Sequence, residues 1–254
     1  MAKPGKLRIG VFVPVGAQLL DLSPIDLFAM LSPKYLTACT LPAPLVNLGT
    51  RSVIHYIALP QTGAHVELTA NAFLKVSKTI KDAEVQPGLL DIILIPGPDP
   101  SSVFEEDILD FVRAHAGWKG KDGEYVDMLC ICTGIYMLGQ SGILRGKSAS
   151  GPRALVPALK KKFPDVKWVD EKRWVTDGNI WTSGGITNGQ EMIAAYIREK
   201  LPGPAAEAVL EMADVGDKGV NYTRSKSGDI IWWLWQILKA VVVGKISSKK
   251  KKAL

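Results

Sequence analysis

The sequence lacks the features that mark several classes of protein. It contains only three cysteines, Cys39, Cys130 and Cys132, which are too few for a disulfide framework. Its three histidines are scattered without metal-ligand spacing and so predict no metal site. The N-terminal stretch MAKPGKLRIG has no apolar signal segment, and we therefore expect a reduced, cytoplasmic compartment. Neither an internal repeat nor a linker divides the main part of the chain.

Basic surfaces and long hydrophobic runs are scarce as well. The net charge is +6, but lysines concentrate in the runs Lys160–Lys162 and Lys249–Lys252 without interleaved aromatic residues, which argues against a nucleic-acid partner. The apolar stretch Ile230–Val243 is shorter than the roughly 20 residues that a bilayer of about 30 Å requires. Two interpretations stay open for it. It could pack on the domain or a second subunit, or Ile230–Leu254 could contact a membrane surface through tryptophans and lysines.

If the membrane interpretation holds, the final residues Lys251–Leu254 (KKAL) could also act as a targeting signal. They resemble a dilysine retrieval tail, so we expect an association with the endoplasmic reticulum membrane only if the preceding helix is in a membrane.

Strand and helix patterns alternate over most of the sequence. Apolar runs typical of buried parallel strands occur at Leu7–Val15, Ser52–Leu59, Leu89–Ile95 and Val126–Ile131. The other predicted strands are Tyr35–Thr40, Val66–Thr69, Gly146–Gly151, Arg173–Thr176 and Ile180–Ser183. The predicted helices are Ile25–Leu31, Ala72–Ile80, a helix capped by Ser101 or Ser102 and ending near His115, Ala154–Phe163, Gln190–Leu201 and Pro204–Ala213. This order predicts an α/β domain with a doubly wound, mainly parallel sheet over residues 1–215, followed by an extension, 216–254, that contains the apolar helix.

The stretch Glu124–Leu144 (EYVDMLCICTGIYMLGQSGIL) carries the strongest functional signal. A buried strand leads at once into Cys132, Thr133 and Gly134 and then into helical spacing. Strand, sharp turn and helix form the pattern of a nucleophile elbow, here with cysteine in place of serine. Unpaired N–H groups and the helix dipole favour a thiolate there, so we expect the Cys132 pKa to lie below the free value of about 8.5. Cys130 is expected to fill the core or to assist Cys132 from the same face.

Two more segments follow buried strands, at the edge where open parallel sheets place their sites. Asp21 lies in the predicted loop after the first strand, and the turn Pro96–Pro100 (PGPDP) follows the strand that ends at Ile95. Taken alone, Asp21 is a solvated loop carboxylate or a helix cap, and only its position marks it as a candidate.

Several of these motifs, in this order, resemble the ThiJ/PfpI family, whose members have a class I glutamine amidotransferase-like fold. The resemblance covers about residues 7–215 and rests on QLLDLSPIDLF, DIILIPGPDP, CICTGIYMLGQSGILRGKSAS and WTSGGITNGQEM. The Cys-Thr-Gly elbow, with an aspartate after the first strand, is most similar to the isonitrile hydratase branch. The resemblance implies a flavodoxin-like sandwich with helices on both faces. It also implies a small-molecule substrate, a homodimer, and no metal or organic cofactor.

The resemblance also assigns roles to residues of this sequence. It implies that Cys132 is the nucleophile, Asp21 the carboxyl group that approaches its sulfur, and Thr133 the threonine that follows the nucleophile. A carboxyl group buried beside a thiolate would have a raised pKa and could give a proton to the substrate. The residues expected to line the substrate site are Gly97, Asp99, Gly134, Arg153 and Trp181.

Two departures from the family pattern narrow the chemistry. Glyoxalases, deglycases and many proteases of the family carry a histidine about twenty residues after the nucleophile, where this sequence has Pro152. Pro98 stands in place of a glycine in the family's Pro-Gly-Gly turn, and it has no N–H for an oxyanion. We therefore expect isonitrile hydratase-like hydro-lyase chemistry, as one step of a biosynthetic pathway. A glyoxalase or deglycase, another lyase or cyclase, and a non-catalytic redox sensor stay open as alternatives.

Overall fold

The computed structural model describes residues 6–223, 225, 227–228, 230–232 and 234–239, and the chain divides into two compact units, Met1–Val220 and Asn221–Leu254. The first unit is built around a seven-stranded sheet. The strands of this unit are β1 (Leu7–Phe12), β2 (Ser52–Ala58), β3 (His65–Glu67), β4 (Phe73–Lys75), β5 (Lys78–Thr79), β6 (Ile92–Ile95), β7 (Asp127–Ile131), β8 (Ser148–Ala149), β9 (Lys167–Trp168), β10 (Trp174–Asp177) and β11 (Ile180–Ser183). The helices are α1 (Leu19–Leu22), α2 (Ile25–Met30), α3 (Pro33–Ala38), α4 (Ala43–Val46), α5 (Glu106–Gly117), α6 (Ile135–Ser141), α7 (Val156–Lys162), α8 (Thr187–Lys200) and α9 (Pro204–Met212).

The order of strands in the main sheet is β10-β11-β7-β6-β1-β2-β5. All neighbouring strands run parallel except β10 and β11, which form an antiparallel hairpin at one edge. The chain first builds outward from β1 to β2 and β5, then continues on the other side of β1 with β6, β7 and β11. The carboxyl ends of β11, β7, β6 and β1 therefore lie side by side, at the position where doubly wound sheets bind their ligands. The predicted mainly parallel, flavodoxin-like α/β fold is confirmed.

Helices cover both faces of the sheet, which explains why its central strands are apolar throughout. In β6, Ile92 and Leu94 point into the core cluster on one face, and Ile93 and Ile95 point into the cluster on the other. Residues of α2, α8 and α9 fill the first cluster, and residues of α5, α6 and α7 fill the second. Each fully buried Ile or Leu contributes about 1.5–3 kcal/mol of transfer free energy, so these central strands anchor the fold.

Two predicted elements are wrong. The predicted strand Tyr35–Thr40 begins with residues that belong to helix α3 instead. The Ser32 hydroxyl caps that helix by accepting a hydrogen bond from the Tyr35 N–H at 3.3 Å. The predicted helix Ala72–Ile80 contains β4 and β5 instead. Strand β4 pairs with β3, and β5 extends the main sheet beside β2, so sheet pairing outweighs the weak helical pattern there.

Smaller corrections concern the segments next to the candidate site. Asp21 lies within the short helix α1 rather than in a loop. Neither Ser101 nor Ser102 caps α5, which begins at Glu106. The Ser101 N–H and hydroxyl both donate to the Asp99 carboxylate, so this serine closes a turn of its own before the helix starts.

The second unit contains the predicted apolar helix. Residues 227–228, 230–232 and 234–239 are helical, which covers the described part of the prediction Ile230–Val243. Across the described residues, no helix is both long and apolar enough to cross a membrane. The lysine run Lys249–Lys252 and the dilysine-like end Lys251–Leu254 lie outside the described residues.

Candidate functional site

Cys132 occupies the predicted sharp turn between strand and helix. It directly follows β7 and begins a 3-10 helix, Cys132–Gly134, that leads into α6. Its φ of +58° lies in the left-handed region, which costs a non-glycine residue about 1–3 kcal/mol and is typical of functional turns. A Cβ on Gly134 would lie 2.9 Å from the Ile95 carbonyl oxygen, so glycine is required where the elbow passes the end of β6. The side chain of Cys132 is buried, with 9% of its surface exposed.

Asp21 is the group that joins the neighbouring strand ends. Its side chain is fully buried, and it forms a hydrogen bond with the Cys132 thiol. The Ile186 N–H donates to Asp21 Oδ1 at 3.0 Å, and the Gly97 N–H donates to Oδ2 at 3.2 Å. These partners follow β11 and β6, whereas Asp21 itself follows β1. One carboxyl group is therefore held against the sulfur by segments from four adjacent strands.

Thr133 fixes the turn that carries the sulfur. Its hydroxyl donates to the Pro98 carbonyl oxygen at 2.6 Å, which ties the elbow to the turn after β6. Its backbone N–H forms a hydrogen bond with the Cys132 side chain and favours negative charge on the sulfur. Thr133 thus positions Cys132 from two sides.

The expected low pKa of Cys132 is wrong in sign. Burial raises the pKa of the thiol to about 12, with the negative charge of Asp21 as the second cause, and the Thr133 N–H only partly opposes them. A helix N-terminus lowers a thiol pKa where the sulfur is partly exposed and near positive charge, but this sulfur is buried beside a carboxylate.

The Asp21 pKa is raised, as expected, chiefly because the side chain is buried, while the hydrogen bonds from Ile186, Gly97 and Cys132 oppose the shift. Because burial raises the pKa of both groups, each resists negative charge, and the Cys132 thiol is protonated at neutral pH. The hydrogen bond between Cys132 and Asp21 gives the thiol proton a direct path to the carboxyl group. This proton can pass to Asp21 when the sulfur bonds to carbon.

Two glycines allow these groups to approach one another. A Cβ on Gly97 would lie 2.5 Å from Thr133 Oγ1 and 2.6 Å from Asp21 Oδ2. A Cβ on Gly185 would lie 3.1 Å from the Cys132 sulfur. Gly97 was predicted as a site residue, but the contributions of Gly185 and the Ile186 N–H were missed. The signal that could have found them is the Gly-Gly pair that ends β11 at the same sheet edge.

Comparison with known proteins bears on what this arrangement does. The family model described as DJ-1/PfpI matches residues 45–199, more than half of the chain. An isonitrile hydratase from Pseudomonas putida is 34% identical over 207 residues, which cover 80% of this chain and 76% of that protein. The chain belongs to the DJ-1/PfpI family. The resemblance to ThiJ/PfpI proteins drawn from the sequence motifs is thereby confirmed.

Solved structures share the DJ-1/PfpI fold at low sequence identity. Drosophila melanogaster DJ-1beta superposes with a TM-score of 0.60 at 18% identity, covering 83% of this chain and 99% of that one. An AraC family transcriptional regulator from Pseudomonas putida superposes with a TM-score of 0.62 at 13% identity, covering 82% and 99%. Since proteins of such different description share the fold, the DJ-1/PfpI architecture does not by itself decide the activity of this chain.

Not every predicted site residue joins the Cys132 cluster of this DJ-1/PfpI chain. Asp99 is exposed, and its carboxylate accepts hydrogen bonds from Ser101, which lower its pKa. Arg153 is half-buried at the start of the 3-10 helix Arg153–Leu155. Trp181 is a core residue packed edge-on against Tyr196, with 5.3 Å between ring centroids, rather than a pocket wall. Cys130 is fully buried in the core cluster on the other face of the sheet, so it does not assist Cys132 from the same side.

The turn after β6 offers little to an oxyanion. Pro98 has no N–H, and the Gly97 N–H is already engaged by Asp21. No histidine is among the described groups that shift the Cys132 pKa, and the ring nitrogens of the buried His115 lie instead beside the carbonyl oxygens of Phe111 and Val85. The site is therefore a thiol and carboxyl pair without an imidazole.

Proposed function

We propose that this DJ-1/PfpI protein hydrates an isonitrile to an N-substituted formamide, with Cys132 as nucleophile, Asp21 as the proton carrier and Thr133 as the positioning residue. The observation that carries the proposal is the buried, hydrogen-bonded Cys132–Asp21 pair, in which burial raises the pKa of both groups and to which no histidine contributes. The similarity to an isonitrile hydratase supports it. No step of the proposed reaction needs a cofactor.

The first half of the reaction adds the thiol across the terminal carbon of the isonitrile. The Cys132 sulfur forms a bond to that carbon as its proton passes to the Asp21 carboxylate. Asp21 then gives the proton to the same carbon, which yields a thioimidate, Cys132–S–CH=N–R. The thiol proton thus ends on carbon, and the Asp21 carboxylate is regenerated.

The second half consumes one water molecule. Water adds to the thioimidate carbon, and Asp21 accepts one proton from the water and passes it to the nitrogen. The carbon–sulfur bond then breaks as Asp21 takes the remaining hydroxyl proton and returns it to the sulfur, and the oxygen from water becomes the carbonyl oxygen of R–NH–CHO. The sum is one isonitrile plus one water giving one formamide.

The donors around the sulfur suit this substrate better than an acyl compound. An isonitrile has no carbonyl oxygen, so its attack by sulfur develops no oxyanion. The absent Pro98 N–H and the engaged Gly97 N–H therefore cost this reaction less than acyl transfer, where loss of one oxyanion donor costs about 10²–10³ in rate. A redox-sensing role fits less well, because oxidation follows thiolate character and the Cys132 pKa is raised.

The test is formation of formamide from a simple alkyl or aryl isonitrile. We expect many turnovers per wild-type molecule and a loss of about 10²–10⁴ in kcat/KM in Cys132→Ala and Asp21→Ala. Cys39→Ala is the matched control, since Cys39 is also a free cysteine but lies at the end of α3. Absence of formamide with wild type, or equal turnover by Cys132→Ala, would overturn the proposal. Methylglyoxal in parallel reactions tests the glyoxalase alternative.

A further inference from the structure

The charge of this chain is distributed very unevenly. Residues 230–254 contain six lysines and neither aspartate nor glutamate. The other 229 residues carry 25 basic and 25 acidic side chains, so the entire formal net charge of +6 belongs to this terminal segment. A neutral body with a concentrated cationic end is typical of proteins whose end is drawn to an anionic surface.

The helix that begins this cationic segment exposes large apolar side chains. Ile231 is 66% exposed, Leu234 is 61% exposed and Ile237 is 58% exposed. The other exposed apolar residues of the helix are Ile230, Trp232, Trp235 and Leu238. A group of exposed apolar side chains on one short helix marks a surface that binds a protein partner or a membrane.

The apolar residues are concentrated on one side of the helix. At 100° per residue, six of the seven exposed apolar residues, all but Trp232, fall within an arc of about 160°. Trp232 lies outside that arc, between Lys239 and Gln236. The Lys239 ammonium lies 5.3 Å from the centroid of the Trp235 ring, so the cation is at the border of the apolar face. Indole rings and lysine stems that border an apolar arc suit a boundary between water and hydrocarbon.

We propose that residues 230–254 bind this protein to the surface of an anionic lipid bilayer, with the apolar arc in the interface and the lysines against the headgroups. The apolar stretch Ile230–Val243 would span only about 21 Å as a continuous helix at 1.5 Å per residue, less than the roughly 30 Å hydrocarbon layer, so we place it in the interface rather than across the bilayer. The positive charge of this segment favours anionic lipid over a second copy of the chain as its partner. Two segments of charge +6 repel each other, whereas anionic lipid attracts each lysine. This inference is independent of the proposed reaction.

The test is flotation of the full chain with lipid vesicles at about 0.1 M salt. One set of vesicles is pure phosphatidylcholine, and the other contains about 30% phosphatidylserine in phosphatidylcholine. We expect flotation with the anionic vesicles and at least tenfold weaker binding to the neutral ones. Leu234→Glu and Gln236→Glu add the same charge on opposite sides of the helix. Leu234→Glu should abolish flotation, whereas Gln236→Glu should retain it within about fivefold, the effect of one charge near the surface.

Three results would overturn the proposal. The first is no flotation of wild type with anionic vesicles. The second is equal loss in Leu234→Glu and Gln236→Glu, which would mean that charge alone matters. The third is a wild-type dimer that Leu234→Glu converts to monomer without any lipid binding, which would assign the apolar arc to a second copy. Unchanged thermal unfolding of both variants serves as the control for folding.

Discussion

Asp21 and Cys132 determine each other's protonation, and this coupling makes Asp21 the most informative residue to change. In Asp21→Asn the negative charge beside the sulfur is gone, so the Cys132 pKa should fall below its value of about 12. Alkylation by iodoacetamide at pH 8 should then be faster by about tenfold for each unit of pKa lost. Formamide production should nevertheless be lost, because the proton carrier is missing.

The matched control is Asp99→Asn, which neutralises an exposed carboxylate that bonds to Ser101 and is not among the groups that shift the Cys132 pKa. Its alkylation rate should equal that of wild type. In wild type the rate should climb about tenfold per pH unit from pH 7 to pH 10, since the thiol is still protonated there. A rate that is fast and flat from pH 6 upward would contradict the raised pKa.

Gly97 permits the closest contacts in the cluster, so its substitution should damage the site selectively. A Cβ in Gly97→Ala would clash with Thr133 Oγ1 and Asp21 Oδ2, and we expect kcat/KM to fall at least 100-fold as the carboxyl group is displaced. Gly117→Ala is the control, because nothing lies within 4 Å of its added methyl group. Equal activity of both variants would show that the contacts at Gly97 do not hold the reactive geometry.

For single residues, the sequence predicts which side chain follows which strand, but it does not predict how neighbouring groups shift one another's pKa. Cys132 was identified from the strand-turn-helix pattern after an apolar run, whereas the roles of Asp21 and Thr133 came from the resemblance to the ThiJ/PfpI family. The Ile186 N–H was missed because it reaches Asp21 across 165 residues and depends on a backbone conformation, φ +52° and ψ −106°, that the side chain does not indicate. The sign of the Cys132 pKa shift was missed because it depends on burial in the assembled sheet.

Among the elements, α5 is held to the segment before β6 by a buried histidine. His115 Nδ1 lies 2.8 Å from the Phe111 carbonyl oxygen, and Nε2 lies 3.0 Å from the Val85 carbonyl oxygen in the neighbouring 3-10 helix, Ala83–Val85. Burial lowers the His115 pKa, although the two carbonyl oxygens oppose the shift because they favour the protonated ring, and a neutral ring donates to only one of them. The folded protein therefore holds His115 neutral under conditions in which the unfolded chain, with a pKa near 6.5, takes up a proton.

We predict that His115→Gln lowers the free energy of unfolding by about 1–2 kcal/mol at pH 7.5 through the loss of these contacts. The difference from wild type should shrink as the pH falls below 6.5, because only wild type loses stability to protonation of its unfolded state, by at most about 1.4 kcal/mol per pH unit. Urea unfolding from pH 7.5 to 5.5 measures this, with exposed His65→Gln as control. A difference that widens at low pH would mean that folded His115 is charged.

Sequence patterns were sufficient for elements whose burial is uniform and failed where pairing or capping decides. The strands β6 and β7 are buried at every position, and their apolar runs predicted them well. By contrast, β5 has only two residues and exists because it pairs with β2, which no local pattern indicates. The Ser32-Pro33 pair is typical of a helix start and explains why Tyr35 is helical. The β-branched and aromatic residues that follow favour a strand, and this local pattern gave the wrong prediction.

For the whole molecule, the division into two units predicts that the reaction needs only the first. The predicted boundary after residue 215 remains a prediction, whereas contacts of residues 216–220 suggest a slightly longer unit. The Arg198 guanidinium donates to the Gly216 carbonyl oxygen at 2.6 Å, and the Arg173 N–H donates to the Val220 carbonyl oxygen at 2.6 Å. Residues 216–220 are therefore bonded to the residues of α8 and to the segment before β10.

We predict that a chain of residues 1–220 unfolds cooperatively and retains wild-type kcat/KM, because all contacts described around Cys132 lie within it. A chain of residues 1–215 should be less stable by about 1–3 kcal/mol, since it loses the bonds to Gly216 and Val220. Thermal unfolding and formamide production of both chains measure this. Loss of activity in the 1–220 chain with intact folding would mean that the second unit contributes to the site.

The most direct test of the central claim is the mass of the enzyme stopped by acid during turnover of an isonitrile. We predict a fraction of wild-type molecules heavier by the mass of one isonitrile, with the addition located on the peptide that contains Cys132, as the thioimidate requires. Cys132→Ala should show neither the adduct nor formamide. Formamide production without any adduct on Cys132, or an adduct at Cys39 or Cys130 instead, would contradict nucleophilic attack by Cys132.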